Sequence, residues 1–218
     1  LQDGKVLIAG GLDGMAVSAT AELYDTATSQ FFATGSMHAA RAFHTAVMLP
    51  NGKVLIAGGY NGDYLNSAEL YDPATGLFTL ISPMLEARCG HTGTLLSDGS
   101  VLMAGGINSS GYLNSAEVYD PDSGLFTEIN GSMAAARGFH TATILNDDSE
   151  GLNDTVLLVG GFGYLDETEE TPDTLLTAEF YTPSTRQFTR TSLNLTYARM
   201  QHSATLLASG DQGYFRGK

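Results

Sequence analysis

Cysteine, tryptophan and positive charge are scarce in this chain. A single cysteine, Cys89, among 218 residues excludes an internal disulfide and any zinc site built from several thiolates, and leaves the redox compartment open. Only 10 Lys and Arg stand against 24 Asp and Glu, a formal net charge of −14, so the summed field repels phosphate backbones and anionic lipid and nucleic acid is not an expected partner. No apolar run approaches the roughly 18 residues of a membrane span, so membrane insertion is not expected either. Neither end reads as a secretion signal. The chain does not begin with Met and its first residues already read as a strand entrance, which points to a piece processed from a longer protein, with any signal peptide lost in the removed part. Helical periodicity sustained over three turns is also missing. With 43% hydrophobic residues, however, there is material for one substantial core, and disorder is excluded.

What is present is repetition. An apolar run ending in paired glycines recurs as GKVLIAGG from Gly4, GKVLIAGG from Gly52, GSVLMAGG from Gly99 and DTVLLVGG from Asp154, at spacings of 48, 47 and 55 residues. AELYD follows at Ala21 and Ala68, AEVYD at Ala116 and AEFYT at Ala178. An aromatic strand then comes around Phe32, Phe78, Phe126 and Phe188. A fourth element, Arg-x-x-His-Thr or -Ser, begins at Arg41, Arg88, Arg137 and Arg199 and opens a further apolar run. Each run is short, continuous and bounded by turn residues such as Pro50-Asn51-Gly52 and Asp72-Pro73-Ala74-Thr75-Gly76, as strands covered on both faces are. Four strands per unit follow. A lone four-stranded sheet cannot bury both faces, so successive sheets are expected to stack face to face around an axis.

The paired glycines, the Tyr-Asp dipeptide 12 or 13 residues on in the first three units and the aromatic of the last strand together resemble the kelch motif over nearly the whole chain, with Phe78, Phe126 and Phe188 in place of the family's usual tryptophan. The resemblance implies an all-β fold, a β-propeller of four-stranded antiparallel kelch-like blades in four repeats. One domain over 1–218 is expected, with units at roughly 1–40, 41–87, 88–136 and 137–198 and a closing strand at 199–208 that pairs with the first blade. A segment of a six- or seven-bladed parent is the alternative. Kelch propellers also form the body of galactose oxidase-like copper enzymes and of sialic acid mutarotases, so part of a carbohydrate enzyme is the rival to a binding scaffold.

In such a blade the loop after the glycine pair and the segment before the arginine strand emerge at one end. That end collects Leu12 to Thr20, Tyr60 to Ser67, Ile107 to Ser115 and the longer Phe162 to Thr177. Tyr60, Asn61, Asp63, Tyr64, Asn108, Tyr112, Phe162 and Tyr164 are the candidate contact residues there, since rigidly mounted loops and aromatics carry recognition; the alternative is that the aromatics cover neighbouring loop backbone. Arg41, Arg88, Arg137 and Arg199 admit two readings, an anion-receiving ring or a repeated pairing with Glu22, Glu69, Glu117 and Glu179. His44, His91, His140 and His202 recur three residues after each arginine, and repetition favours structural roles over a metal centre. Cys89 has Ala42, Gly138 and Met200 at the equivalent positions and reads as a small buried side chain. The glycine pairs lack the helix and Lys-Ser/Thr ending of a phosphate loop. The acidic stretch Asp166 to Asp173 is a weak calcium candidate without the spacing of a dedicated loop. Sequons stand at Asn108, Asn130, Asn153 and Asn194. No catalytic set, metal site or cofactor is assigned. The expectation is a non-catalytic module, extracellular or on a cell surface, that presents propeller loops to a protein or glycan, with assembly through open blade edges as a third, structural reading.

Overall fold

A computed structural model describes residues 1–145, 152, 154–166 and 168–207. All regular structure among them is β. The first sheet has three strands, Val6–Ala9, Ala21–Asp25 and Gln30–Ala33. The second has four, Thr45–Met48, Val54–Ala57, Ala68–Asp72 and Leu77–Ile81. Thr92–Leu95, Val101–Ala104, Ala116–Asp120 and Leu125–Glu128 form the third, and Thr141–Leu145, Thr155–Val159, Ala178–Thr182 and Gln187–Arg190 the fourth. Every neighbouring pair is antiparallel and in chain order, as short turns between consecutive strands require.

The sheets stack face to face in a row, with one apolar layer at each junction. Val54, Ile56, Tyr71 and Phe78 of the second sheet meet Leu7, Ala9 and Leu23 of the first. Leu55 and Ala57 turn the opposite way, against Val101, Met103 and Tyr119 of the third sheet. Leu102, Ala104 and Val118 then meet Val156, Leu158 and Tyr181 of the fourth. Period-two alternation thus feeds two junctions from one strand, and all four residues of Val54–Ala57 and of Val101–Ala104 are buried. The third-strand tyrosine and last-strand phenylalanine sit opposite each other in every sheet, with ring centroids 4.8 to 5.0 Å apart. Register corrects one expectation. Phe31, not Phe32, faces Tyr24 as Phe78 faces Tyr71, because the turns from Asp25 and Asp72 are of equal length.

The expected pairing of Arg199–Leu207 with Val6–Ala9 is not formed among the described residues: Val6–Ala9 pairs with Ala21–Asp25 alone, and residues 203–207 make no strand. Residues 199–202 are held at the other end of the row, where Gly161 N donates to Arg199 O at 2.8 Å and Gln201 N to Phe139 O at 2.9 Å. Ala208 and most of residues 146–154 lie outside the described residues. Among the described residues no helix is long and apolar enough to cross a membrane.

Equivalent positions differ in burial, which gives a direct test of the stacking. Phe78→Ala is expected to lower stability by about 3–5 kcal/mol, and Phe31→Ala, at a position 63% exposed, by less than about 1 kcal/mol in dilute solution, as read from urea unfolding.

Candidate interaction site

The loop end rests on a polar network repeated in the second, third and fourth sheets. Arg41 is fully buried; its Nη1 donates to Gly58 O at 2.6 Å and Ser67 O at 3.1 Å, and its Nη2 to Ser67 Oγ at 3.2 Å and Glu69 Oε1 at 2.8 Å. Arg88 repeats this with Gly105 O, Ser115 and Glu117, and Arg137 with Gly160 O, Thr177 and Glu179. One planar fork therefore ties the opening of the innermost strand to the glycine pair and to the third strand. Each glutamate also accepts two backbone N–H groups from the chain arriving from the preceding sheet: His38 and Ala39 on Glu69, Leu85 and Glu86 on Glu117, Ala134 and Ala135 on Glu179. Burial alone would raise the Glu69 carboxyl, but the bonds from His38 and Arg41 outweigh it and hold it below the usual range. The guanidinium groups of Arg41, Arg88 and Arg137 face carbonyls and carboxylates rather than solvent, which leaves no room for a bound anion. Arg199 differs: it is exposed, and its described bond runs from Nε to Tyr197 O at 3.3 Å.

The glycine pair is required by the same geometry. Gly58 and Gly59 have φ of +66° and +106°, and a Cβ on Gly58 would come 2.5 Å from Arg88 O of the next sheet. Gly59 N donates to that same carbonyl at 2.9 Å, so backbones touch across the junction. The histidines stitch neighbouring sheets as well: Thr45 Oγ1 meets His91 Nε2 at 3.3 Å, Thr92 meets His140 at 3.2 Å and Thr141 meets His202 at 3.0 Å. Burial and then the nearby Arg41 push His44 down to about 4, and burial with Arg137 pushes His140 to about 3. Cys89 is buried in a bridge to Ile107, and desolvation pushes its thiol up to about 11, so it is protonated and a poor nucleophile at neutral pH.

Above this layer the candidate loop residues separate into two groups. Tyr60 is tied to Ala42 by a β-bridge, and its ring lies 5.2 Å from Tyr64; Asn61 and Asp63 form the exposed tip between them. Tyr112 packs on Phe162 at 5.6 Å and Tyr164 at 6.0 Å, joining the third-sheet loop to the fourth. These five rings are half-buried. Gly138 accommodates the Tyr112 ring, which would stand 3.3 Å from a Cβ there. Asn108 is not a free contact residue: its Nδ2 donates to Glu86 Oε1 at 3.1 Å and its Oδ1 accepts from Ser110 N at 2.8 Å. In the acidic loop Asp166 accepts from Thr168 N at 2.8 Å and Glu169 from Leu165 N at 2.6 Å, while Glu167 lies outside the described residues. Among the described residues no group of three or more His, Cys, Asp or Glu side chains is placed to hold a metal.

Two features escaped sequence reasoning. Glu86 adds a second carboxylate to Arg88, at 3.3 Å, and also takes the Ser115 hydroxyl. Its signal was a departure from the repeat, since Ala39 and Ala135 hold the equivalent positions. The other is an axial row: Gly90 N donates to Phe43 O, Phe139 N to Gly90 O and Gln201 N to Phe139 O, with Phe43, Phe139 and Gln201 at positive φ of 52° to 55°. Phe43 and Phe139 meet edge to face at 6.0 Å.

A row of stacked antiparallel sheets, three of them four-stranded and knotted by a buried arginine at the loop end, is the architecture of propeller blades. Residues 41–85 and 88–132, which begin at Arg41 and Arg88, each match the Kelch motif. No curated protein matches the chain.

Two outcomes follow from the network. Arg137→Met leaves Glu179 buried without its cation and is expected to cost about 3–5 kcal/mol in urea unfolding. The histidines set the acid response. Above pH about 6.5 they are neutral in both states, whereas below it the unfolded chain takes up protons that the folded chain refuses down to about 4 at His44 and about 3 at His140. Stability is therefore expected to fall as pH drops from about 6.5 to about 4.5, and His140→Gln should flatten that slope in urea midpoints measured against pH.

Proposed function

We propose that the chain is a non-catalytic interaction scaffold whose loop end receives a protein partner. Kelch repeats generally mediate protein interactions, and this chain carries them. The observation that supports the loop end is the aromatic ledge: Tyr60 with Tyr64, and Tyr112 with Phe162 and Tyr164, half-buried rings standing on loops that the buried arginines anchor. Such rings combine large apolar area with hydroxyls for hydrogen bonding and lose little entropy on binding, as contact residues at interfaces do. Asn61 and Asp63 supply a polar rim at the tip. An extracellular or cell-surface setting belongs to the proposal; the exposed sequons at Asn130 and Asn194 are compatible with it. A glycan is the second occupant considered, since tyrosine rings also pack against sugars.

The test uses a photo-crosslinking side chain at Asp63 to capture and identify the partner, followed by binding measurements with Tyr64→Ala, Tyr112→Ala and Tyr164→Ala together. Loss of binding by about a hundredfold, on the order of 3 kcal/mol, with an unchanged melting curve is the expected result. Full binding by the triple variant removes the loop face, and a glycan array positive only for the wild type would replace the protein partner by a sugar.

A further inference from the structure

The rings of the ledge come from three loops and share one surface. Tyr112 packs on Tyr164 at 6.0 Å, and its hydroxyl is pushed above the ordinary phenol range, first by burial and then by the nearby phenols of Tyr164 and Tyr64. Each ring pair is tilted or edge-on, at 60° for Tyr60 with Tyr64, 67° for Tyr112 with Phe162 and 72° for Tyr112 with Tyr164. The rings therefore do not stack on one another, and π faces are left for a ligand.

Negative charge flanks these rings on the same loops. Asp63 is exposed between Tyr60 and Tyr64, and Asp166 follows Tyr164 by two residues. Glu169 accepts from Leu165 N, Glu170 is exposed beside it, and Asp173 stands across from Gly163 in the short sheet that carries Phe162 and Tyr164. None of these five carboxylates forms an ion pair among the described residues, all of them exposed. Cations are sparse at this end of the row. Arg41, Arg88 and Arg137 are buried against their glutamates, while Lys5 and Lys53 belong to the opposite, turn-bearing end, where they pair with Asp3 and Asp72. Arg190 is tied to the acidic loop through Leu165 O at 2.8 Å, and Arg199 is bonded to Tyr197 O.

We propose that the ledge takes an arginine-bearing basic segment of its partner protein, with guanidinium groups lying on the faces of Tyr64, Tyr112 and Tyr164 and donating to Asp63, Asp166 and Glu169. This rests on the loop end being the contact face and names the chemistry of what that face receives. A tyrosine face attracts a cation through the ring quadrupole, and a carboxylate beside it adds direct charge attraction. Arginine meets both demands at once, because its planar group stacks on a ring while its N–H donors point outward in the plane. An acidic segment would meet the same carboxylates with repulsion, and an uncharged one would leave them without a partner.

Fluorescence anisotropy of the 218-residue chain with a labelled peptide alternating arginine and glycine tests this, beside counterparts with glutamate or serine in place of arginine. The arginine peptide alone is expected to bind saturably, and less tightly as salt is raised, since the carboxylates are exposed. Asp63→Asn, Asp166→Asn and Glu169→Gln together should weaken it by about tenfold or more, as should Tyr64→Ala with Tyr112→Ala. The amides keep an acceptor oxygen for Thr168 N and Leu165 N, so the melting curve should match the wild type's. Asp63→Asn alone, at an exposed loop tip, should weaken binding by about threefold. Asp25→Asn, Asp98→Asn and Asp122→Asn change the net charge equally at the turn-bearing end and should leave binding unchanged. No binding of the arginine peptide, equal binding of the glutamate or serine peptide, or equal loss from the two sets of neutralised carboxylates overturns the proposal. A partner captured at Asp63 through an acidic or uncharged segment overturns it too, while the contact face stands. Arginine-peptide binding that survives the tyrosine variants removes the ledge itself.

Discussion

The interaction on which the rest depends is the buried arginine of the second, third and fourth sheets. A guanidinium and a carboxylate taken out of water are costly, and their mutual attraction offsets that only when the remaining donors and acceptors are also matched. Arg41, Arg88 and Arg137 match both terminal nitrogens with carbonyls from the glycine pair and the residue before the third strand and with the glutamate, their buried Nε alone lacking an acceptor, while Glu69, Glu117 and Glu179 gain backbone N–H groups from the preceding sheet. One ion pair thereby fixes four chain segments. The arrangement is close to all or nothing, which makes a firm floor for the loops above it.

Sameness below and difference above is the functional logic that results. The arginines, histidines and glycine pairs recur because every junction needs them. Loops that rise from the network are free to differ, and they do: a tip with Asn61 and Asp63 between two tyrosines, a hairpin fastened by Asn108 to Glu86, and a longer segment that brings Phe162 and Tyr164 onto Tyr112. The Kelch motif at residues 41–85 and 88–132 fits an interaction role, and the uneven loop surface is where specificity would reside.

Much of the fold was legible because the repeat reports the same physical demand several times. Alternating burial, four-residue turns and the pairing of arginine with glutamate each leave marks at constant spacing. Phe31 was misassigned as Phe32 since two adjacent phenylalanines satisfy the pattern equally, and only strand register separates them. Glu86 went unread because a charged residue beside an arginine has no meaning until Asn108 and Ser115 converge on it. The positive φ values of Phe43 and Phe139 leave no trace in composition, as bulky residues adopt them only when the surrounding backbone bonds require it.

By itself the sequence determined the number of units described here, the strands within each and the residues that tie them, because periodic burial and turn chemistry are local. Tertiary structure decided which members of each set find their partners. Glu22 and Arg199 carry the same side chains as their buried equivalents and differ only in having no neighbouring sheet across from them among the described residues. A residue's identity can be read from the chain; the dielectric around it, and hence whether it is a structural bond or an open contact, is set by what the folded row places opposite.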